Sequence, residues 1–442
     1  MVQFLHIADL HLGSQLSTEL PDESAGSDIF ADANYVAVER LVDVAIDEAV
    51  DFVVVAGDLY DDDARSVRAN SFLADQFERL AEVDVPVYVV YGNHDPVGTA
   101  TRYVELPENV HEFDHDSAEE VLYPNPDTPE ARIWGQSYRD RHESRKMYRG
   151  FTPADDRVPS VGVLHTGLDP DGRRYVPVSR NKLESKDDIH YWALGHIHQR
   201  RVYTSQQPIA YPGIPQGGQV NEPGLGGGYL VELSTDGLVN MEFVPTSPVV
   251  WKTATVDVGD PDTSSIPDIQ RAVTSVADDL SATMDTFDGT PVSVRQPEWG
   301  VEAYVCRWRL TGNGPAHETL SRDEDAVSEL ERRLRDELSS RDPVVWTESV
   351  RDETGPEIPD VTELRSDDQV VDEVLTMFEE TDQETLRDQF RDTDIVGIAW
   401  EPVEDHEETQ PDELPLTDEK LDSLIERARQ RVLEELALRR AN

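Results

Sequence analysis

Between Asp9 and His198 the chain carries carboxylate, amide and imidazole side chains in the order Asp9-x-His11, Gly57-Asp58, Gly92-Asn93-His94-Asp95, His165 and Gly195-His196-x-His198. In Asp9-x-His11 and His196-x-His198 one intervening residue lets both side chains point the same way on extended backbone, so each pair can grip a metal together. Asp, Asn and His donors without a thiolate describe a borderline-hard site suited to manganese, iron or zinc, and manganese is the favoured choice. An Asp can bridge two ions about 4 Å apart, the spacing at which two-metal hydrolases stabilise attacking and leaving oxygens together. We assign Asp9, His11 and His198 to a first ion, Asn93, His165 and His196 to a second, and Asp58 to both as the bridge. His94 follows a ligand and precedes Asp95, so it can face a leaving oxygen as a cation, with Asp95 orienting the ring. Two divalent metal ions held in this way, most simply Mn2+, imply hydrolysis of a phosphate ester. Each motif alone is weak, because a lone His after a strand is more often a satisfied core residue. Five motifs in order, with five of the twelve histidines among their candidate site residues, are much harder to explain structurally.

Each motif follows a short apolar run, at residues 4–8, 52–56, 87–91, 161–164 and 191–194. Such runs, bounded by Gly, Asp or Asn, read as strands buried on both faces of a sheet and covered by helices. Ligands placed just past them gather along the carboxyl edge, where open α/β sheets keep their sites. Helical patterns at 35–49 and at 69–81, the latter with Phe72, Leu73, Phe77 and Leu80, alternate with the strands. The expectation is a layered α/β sandwich with helices on both faces over residues 1–245. Its tail, 208–233, reads as strands around turns. The run from Gly224 to Gly228 is not followed by Gly-Lys-Ser/Thr, so it reads as a turn before a strand, and the chain has no ATPase of its own.

Residues 250–350 read as a smaller α+β domain, with strands at 254–258 and 301–310 and helices at 266–280 and 323–338. Residues 355–400 read as a helical extension containing Val370, Val371, Val374, Leu375 and Phe378, followed by an acidic linker at 402–415. The last segment, 416–442, reads as an amphipathic helix capped by Thr417, its stripe formed by Leu421, Leu424, Ile425, Ala428, Val432 and Leu436. That stripe fits either its own domain or the coiled coil of a partner.

The net charge is −52, from 91 acidic and 39 basic residues, only five of them Lys. With 38% apolar residues and clear periodicity, this is a folded chain with a carboxylated surface rather than a disordered one. Acidity with few Lys suggests a host with molar intracellular salt, where surface charges are screened within roughly 3 Å. The single Cys306 excludes an internal disulfide and, in a strand-like run, reads as a buried structural thiol in a reducing compartment. A first strand that starts at once leaves no room for a signal peptide, and no apolar run approaches a membrane span, so a cytoplasmic protein with no membrane association is expected.

Residues 132–202 hold fourteen Lys or Arg against nine Asp or Glu, a local net charge of +5 in a chain whose remainder carries −57. This basic segment interleaves with His165, His196 and His198. Arg139, Arg141, Arg145, Lys146, Arg149, Arg173, Arg174, Arg200 and Arg201 are its candidates for contact with a phosphate backbone. The competing expectation is that these arginines pair with the abundant carboxylates.

The ordered motifs resemble the calcineurin-like metallophosphoesterase superfamily. The runs His6-Ile7-Ala8-Asp9-Leu10-His11-Leu12-Gly13, Ala56-Gly57-Asp58-Leu59-Tyr60-Asp61, Tyr191-Trp192-Ala193-Leu194-Gly195-His196-Ile197-His198 and Tyr211-Pro212-Gly213 look like those of SbcD-type DNA repair exonucleases, nearest the bacterial YhaO-like group. The resemblance covers residues 1 to about 235 well and the remainder only in layout. It implies a manganese-dependent nuclease acting on DNA ends, a capping domain, a homodimer, and an SMC-like ABC ATPase partner held by the C-terminal helix. It places the seven ligands on the family's metal positions and His94 on its transition-state histidine. One departure concerns how DNA is positioned: the family's double-strand-break nucleases carry His where this chain has Asp61. The metal core alone does not choose the ester, so a small-molecule phosphodiesterase or a protein phosphatase is the enzyme alternative. A non-catalytic scaffold for an ATPase is the other. The basic segment and the extension beyond residue 245 favour a polymer.

Overall fold

The structure, a computed structural model, describes residues 1–18, 27–61, 66–97, 104–153, 158–168, 175–203, 207–280, 292–296 and 299–357, together with Thr376. The expected helical extension (apart from its first residues and Thr376), the acidic linker, the C-terminal helix, and Arg173 and Arg174 lie outside the described residues. The chain divides into two compact units. The first comprises Met1–Thr253, Asp279–Arg307 and Arg335–Glu348, and the second Ala254–Asp278, Trp308–Leu334 and the chain from Ser349 onward.

The first unit is built on the apolar runs. β1 (Val2–Ile7), β2 (Phe52–Ala56) and β3 (Val87–Val90) lie side by side and parallel, with Phe4 opposite Phe52 and Val53 opposite Val87. They form the centre of a seven-stranded sheet, and the strand Gly227–Ser234 adds to β1 in antiparallel register. The turn expected before that strand thus ends in sheet. A second, six-stranded sheet is centred on the parallel strands Ala131–Gly135, Ser160–His165 and Tyr191–Gly195.

Alternation along each strand explains burial on both faces. Leu5, Ile7, Val53, Val55, Val87 and Val89 pack against helices α1 (Ser27–Asp47) and α2 (Val67–Ala81), through Val38, Leu41, Leu73, Phe77 and Leu80. Phe4, Phe52, Val54, Tyr88 and Val90 point the other way and meet Ile133, Val161, Val163, Tyr191 and Ala193 of the second sheet. Phe4 and Phe52 stack with ring centroids 5.0 Å apart. The far face of the second sheet is covered by Phe151 and Leu183, which pack with Trp134, Leu164, Trp192 and Leu194. Burying each such large apolar side chain contributes roughly 1.5–3 kcal/mol. The architecture is therefore a mixed α/β sandwich with helices outside two facing sheets.

Helix α2 begins at Ser66, whose hydroxyl accepts the Ala69 N–H at 3.1 Å, a cap worth about 1 kcal/mol. Its apolar face is the one expected from the sequence. Residues 250–350 contribute to both units: strands Val249–Asp257, Ala303–Thr311 and Val344–Asp352 form a three-stranded sheet, and the helices are Ile266–Asp278, Pro315–Ser321 and Ala326–Leu338.

Cys306 is fully buried in the strand Ala303–Thr311, and burial pushes its thiol up to about 12. An unfolded thiol ionises at about pH 8.5. The fold therefore retains the proton that the unfolded chain loses, so this group's contribution to stability is complete below that pH and shrinks as pH rises toward 12. At pH 8 the native protein is expected to leave a thiol reagent such as Ellman's unreacted and to titrate one equivalent after denaturation; rapid reaction of the native protein would contradict this burial.

Candidate metal centre

The candidate ligands lie at or just past the ends of five strands, three from one sheet and two from the other, with His165 the last residue of its strand. Two of these loops hold each other: the Asp9 N–H donates to the Gly57 carbonyl at 3.0 Å and the His11 N–H to the Asp58 carbonyl at 3.1 Å. The backbone is strained where the donors sit, with φ of 52° at Asp9, 42° at His11, 52° at Asp58 and 97° at His196. Positive φ costs a non-glycine residue roughly 1–3 kcal/mol, and such strain persists only where the surroundings impose it. Glycine supplies the close approach beside the donors. A Cβ on Gly57, itself at φ +97°, would lie 2.4 Å from His165 Nδ1, and one on Gly92 would lie 2.2 Å from Asp58 Oδ1.

The expected ligands fall into two groups, each with its atoms within 4.8 Å of one another: Asp9, His11 and His198, and Asp58, His165 and His196; His11 also stands within that distance of Asp61 and His94. His196 and His198 thus belong to different groups. The alternation expected for His-x-His fails because the left-handed turn at His196 interrupts extended backbone. Asn93 Oδ1 joins the second group, 2.9 Å from both His165 Nε2 and His196 Nδ1. Asp58 Oδ2 lies 3.2 Å from His165 Nε2 and 3.9 Å from His11 Nε2, between the two groups as a bridge would be.

The donor set fits cations. His165 Nδ1 donates to the Ala56 carbonyl at 2.9 Å, which in a neutral ring leaves a lone pair on Nε2. Nε2 faces two oxygen acceptors, Asn93 Oδ1 and Asp58 Oδ2, so positive charge is needed there, supplied by a proton on Nε2 or by a cation that takes its lone pair. In the other group the Nε2 atoms of His11 and His198 face each other at 3.1 Å.

Electrostatics tell the same story. Burial alone would raise the Asp58 carboxyl, yet the charge and hydrogen bond of His165, followed by His11 and His94, hold it below the ordinary carboxylate range. Burial lifts Asp9 to about 6. Burial disfavours a charged His165, but Asp58 and then Asp9 outweigh it and raise the ring to about 9. Burial lowers His11 to about 4 and, with the neighbouring His165, His196 to about 3, which leaves both as neutral donors at neutral pH.

His94 sits at the rim, its side chain 39% exposed, and its backbone N–H donates to Asp58 Oδ1 at 2.9 Å. The ring is held differently from the expectation. Asp95 is buried and both its oxygens face backbone: Oδ2 accepts from Leu59 and Tyr60, and Oδ1 from Gly92. Burial, with the nearby Asp58 charge, raises Asp95 to about 7. Its place is to tie the Asp58 loop to the Asn93 loop. The carboxylate on the His94 ring is Asp61, whose Oδ1 lies 3.0 Å from Nδ1 while Oδ2 accepts the Ser14 hydroxyl at 2.9 Å. Sequence reasoning noted Asp61 only as a departure; its signal was a carboxylate three residues past the bridging Asp.

The basic segment is largely engaged within the chain. Arg139 pairs with Asp116, and Arg145 with Glu143 and, at 2.8 Å, with the His115 carbonyl. Arg200 lies over the Phe243 ring at 4.5 Å, and Arg201 Nη2 donates to Gln199 at 3.4 Å. Arg141, Lys146 and Arg149 are exposed, the last 6.0 Å from the Tyr148 ring.

Because a Cβ at Gly92 would collide with Asp58 Oδ1, Gly92→Ala is expected to lower the divalent metal bound by the purified protein by at least one ion per chain on elemental analysis. Gly300→Ala, where a Cβ meets nothing within 4 Å, is the matched control and should retain wild-type content. Equal metal content in the two variants would show that the Asp58 carboxylate is not held where the metal needs it.

Comparison with known proteins agrees with this geometry. A family model for calcineurin-like phosphoesterases matches residues 2–200. The chain is 36% identical over 323 residues to the metallophosphoesterase YhaO of Bacillus subtilis, covering 68% of this chain and 74% of that one. It is 28% identical over 214 residues to the DNA double-strand break repair protein Mre11 of Sulfurisphaera tokodaii, covering 46% and 50% of the two chains. For Mre11 of Archaeoglobus fulgidus the figures are 27% over 232 residues, 48% and 49%. With its full set of donors at the edges of two facing sheets, the chain belongs to the calcineurin-like phosphoesterases, a family of metal-dependent phosphoester hydrolases.

Proposed function

We propose that the chain is a manganese-dependent DNA nuclease that hydrolyses phosphodiester bonds at DNA ends in repair, as an exonuclease with some single-strand endonuclease action. The observation that carries this reading is His94, half-exposed at the rim beside Asp58 and held by Asp61, next to a set of buried and part-buried donors. Similarity to proteins named for DNA double-strand break repair supports DNA as the substrate.

In this reading Asp9, His11 and His198 hold one ion, Asn93, His165 and His196 the second, and Asp58 both. When bound, such a pair lowers the pKa of water and neutralises charge building on the phosphoryl oxygens. The residues do the rest. Asp61 accepts from Nδ1 of His94 and so leaves Nε2 as the nitrogen from which a charged ring can give its proton to the leaving oxygen. The His94 N–H fixes Asp58, and Asp95 locks the two loops that carry Asp58 and Asn93. Residues 1–245 form the phosphoesterase domain and 250–350 a cap, and the segment 416–442, read from the sequence as an amphipathic helix, engages an SMC-like ABC ATPase. The working form is a homodimer in a salt-rich cytoplasm.

One observation favours a second reading. With Arg139 and Arg145 paired internally, less positive surface faces a polyanion, as suits a small phosphodiester substrate. The two readings separate in one assay with manganese in high KCl, comparing linear duplex, single-stranded DNA and bis-p-nitrophenyl phosphate. Cleavage of the artificial ester with neither DNA touched would exclude the nuclease. Asp58→Asn is expected to abolish turnover on every substrate.

His94→Ala is expected to lose roughly 10²–10⁴-fold in turnover while retaining both metals. Loss of metal with activity would move His94 into the ligand set. Replacing Lys146 and Arg149 together by Ala should weaken duplex binding and flatten its salt dependence by about two units of slope, sparing the artificial ester. An unchanged slope would remove these two cations from the DNA path.

A further inference from the structure

One carboxylate beside the centre belongs to none of the ligand motifs. Glu222 lies in the loop at 212–226, and its side chain is 9% exposed. Its Oε1 lies 2.6 Å from His198 Nδ1, and its Oε2 accepts the Gly218 N–H at 2.7 Å. Gln219 Nε2 adds a longer contact to Oε1 at 3.4 Å.

The loop around it is shaped to His198. The Ile214 N–H donates to the His198 carbonyl at 3.0 Å, and Gly213 stands at φ +79°, where a Cβ would come 2.7 Å from that same carbonyl oxygen. A Cβ on Gly217 would lie 2.5 Å from the Glu222 carbonyl oxygen. The Ser17 N–H donates to the Gly218 carbonyl at 2.7 Å, so the loop is also tied to the segment that follows His11. Backbone and carboxylate together hold one imidazole.

From this geometry we infer that Glu222 is a positioning residue: it fixes His198 with the proton on Nδ1, aims the Nε2 lone pair at the space shared with His11 Nε2, and thereby sets the affinity of the cation held by Asp9, His11 and His198. The inference rests on the reading that this group binds a metal. The physical reason is that two Nε2 atoms 3.1 Å apart cannot both carry protons. A carboxylate accepting from the far nitrogen selects the tautomer with a free Nε2 and makes that nitrogen a stronger donor. Stapling the loop requires only the bond from Gly218 to Oε2; the contact to the ring adds nothing to that role.

The test uses the full chain, stripped with EDTA, and titrates Mn2+ by calorimetry in high KCl, with thermal melting of the metal-free protein in parallel. Wild type is expected to bind two ions. Glu222→Gln, which keeps an acceptor but not the charge, should weaken one of them about 10- to 100-fold and leave the other unchanged, and Glu222→Ala should weaken the same ion further. Two ions at wild-type affinity in Glu222→Ala would overturn the inference, as would equal loss of both ions with a lowered melting point of the metal-free protein, the mark of a loop staple. Fewer than two ions in wild type would instead overturn the reading of the centre itself.

Discussion

Asp9, Asp58 and Asp95 are each at most 1% exposed and share one small volume. Taking an unpaired carboxylate out of water costs several kcal/mol, so three of them together must be met by positive charge and hydrogen-bond donors. The surrounding fold can be read as the answer to that demand. Asp95 takes three backbone N–H groups, and Asp9 takes the His196 N–H on both oxygens at 2.9 and 3.1 Å. Asp58 takes the His94 N–H and faces His165. What these contacts leave unbalanced, a pair of divalent cations is suited to balance.

This demand explains why the site straddles two sheets. Asp9, Asp58 and Asn93 follow strands of the seven-stranded sheet, whereas His165 ends a strand of the six-stranded one and His196 and His198 follow another. The imidazoles reach the carboxylates only once Phe4, Phe52, Val161 and Tyr191 have packed the sheets face to face. The approach is close enough that a Cβ on Gly195 would lie 2.0 Å from the Ala56 carbonyl oxygen. Core packing and the chemistry of the site are therefore one constraint, and the glycines in the motifs mark where a neighbour comes closest: the His165 ring at Gly57, the Asp58 carboxylate at Gly92 and the Ala56 backbone at Gly195.

Much of this is written locally. A strand buried on both faces must be apolar at every position, so its end is visible where a Gly, Asp or His begins, and that is where each ligand stands. Helix α2 is equally plain, from its stripe and from Ser66 as cap. The first turns of α1 were missed: the expected start at residue 35 lies eight residues past the observed one, because Asp28, Asp32 and Asn34 interrupt any apolar stripe. Pairing of the arginines within the chain was one of the two expectations, but their partners were hidden. Arg139 finds Asp116 and Arg145 the His115 carbonyl across turns whose closure no spacing rule reveals.

Taken by itself, the sequence determined the class of the fold, the seven candidate donors and the kind of ion they suit, because donor type and strand termination are properties of a few adjacent residues. Tertiary structure brought His198 to His11, as the ligand assignment had it, and apart from His196, which the His-x-His spacing alone would have kept beside it; it also put Asp61 rather than Asp95 on the His94 ring and Glu222 behind His198. Those choices depend on distances between segments as many as 187 residues apart, between His11 and His198, and on a left-handed turn at His196. Packing alone sets such distances, since side-chain type and local spacing carry no record of which loop end a neighbouring sheet will bring alongside.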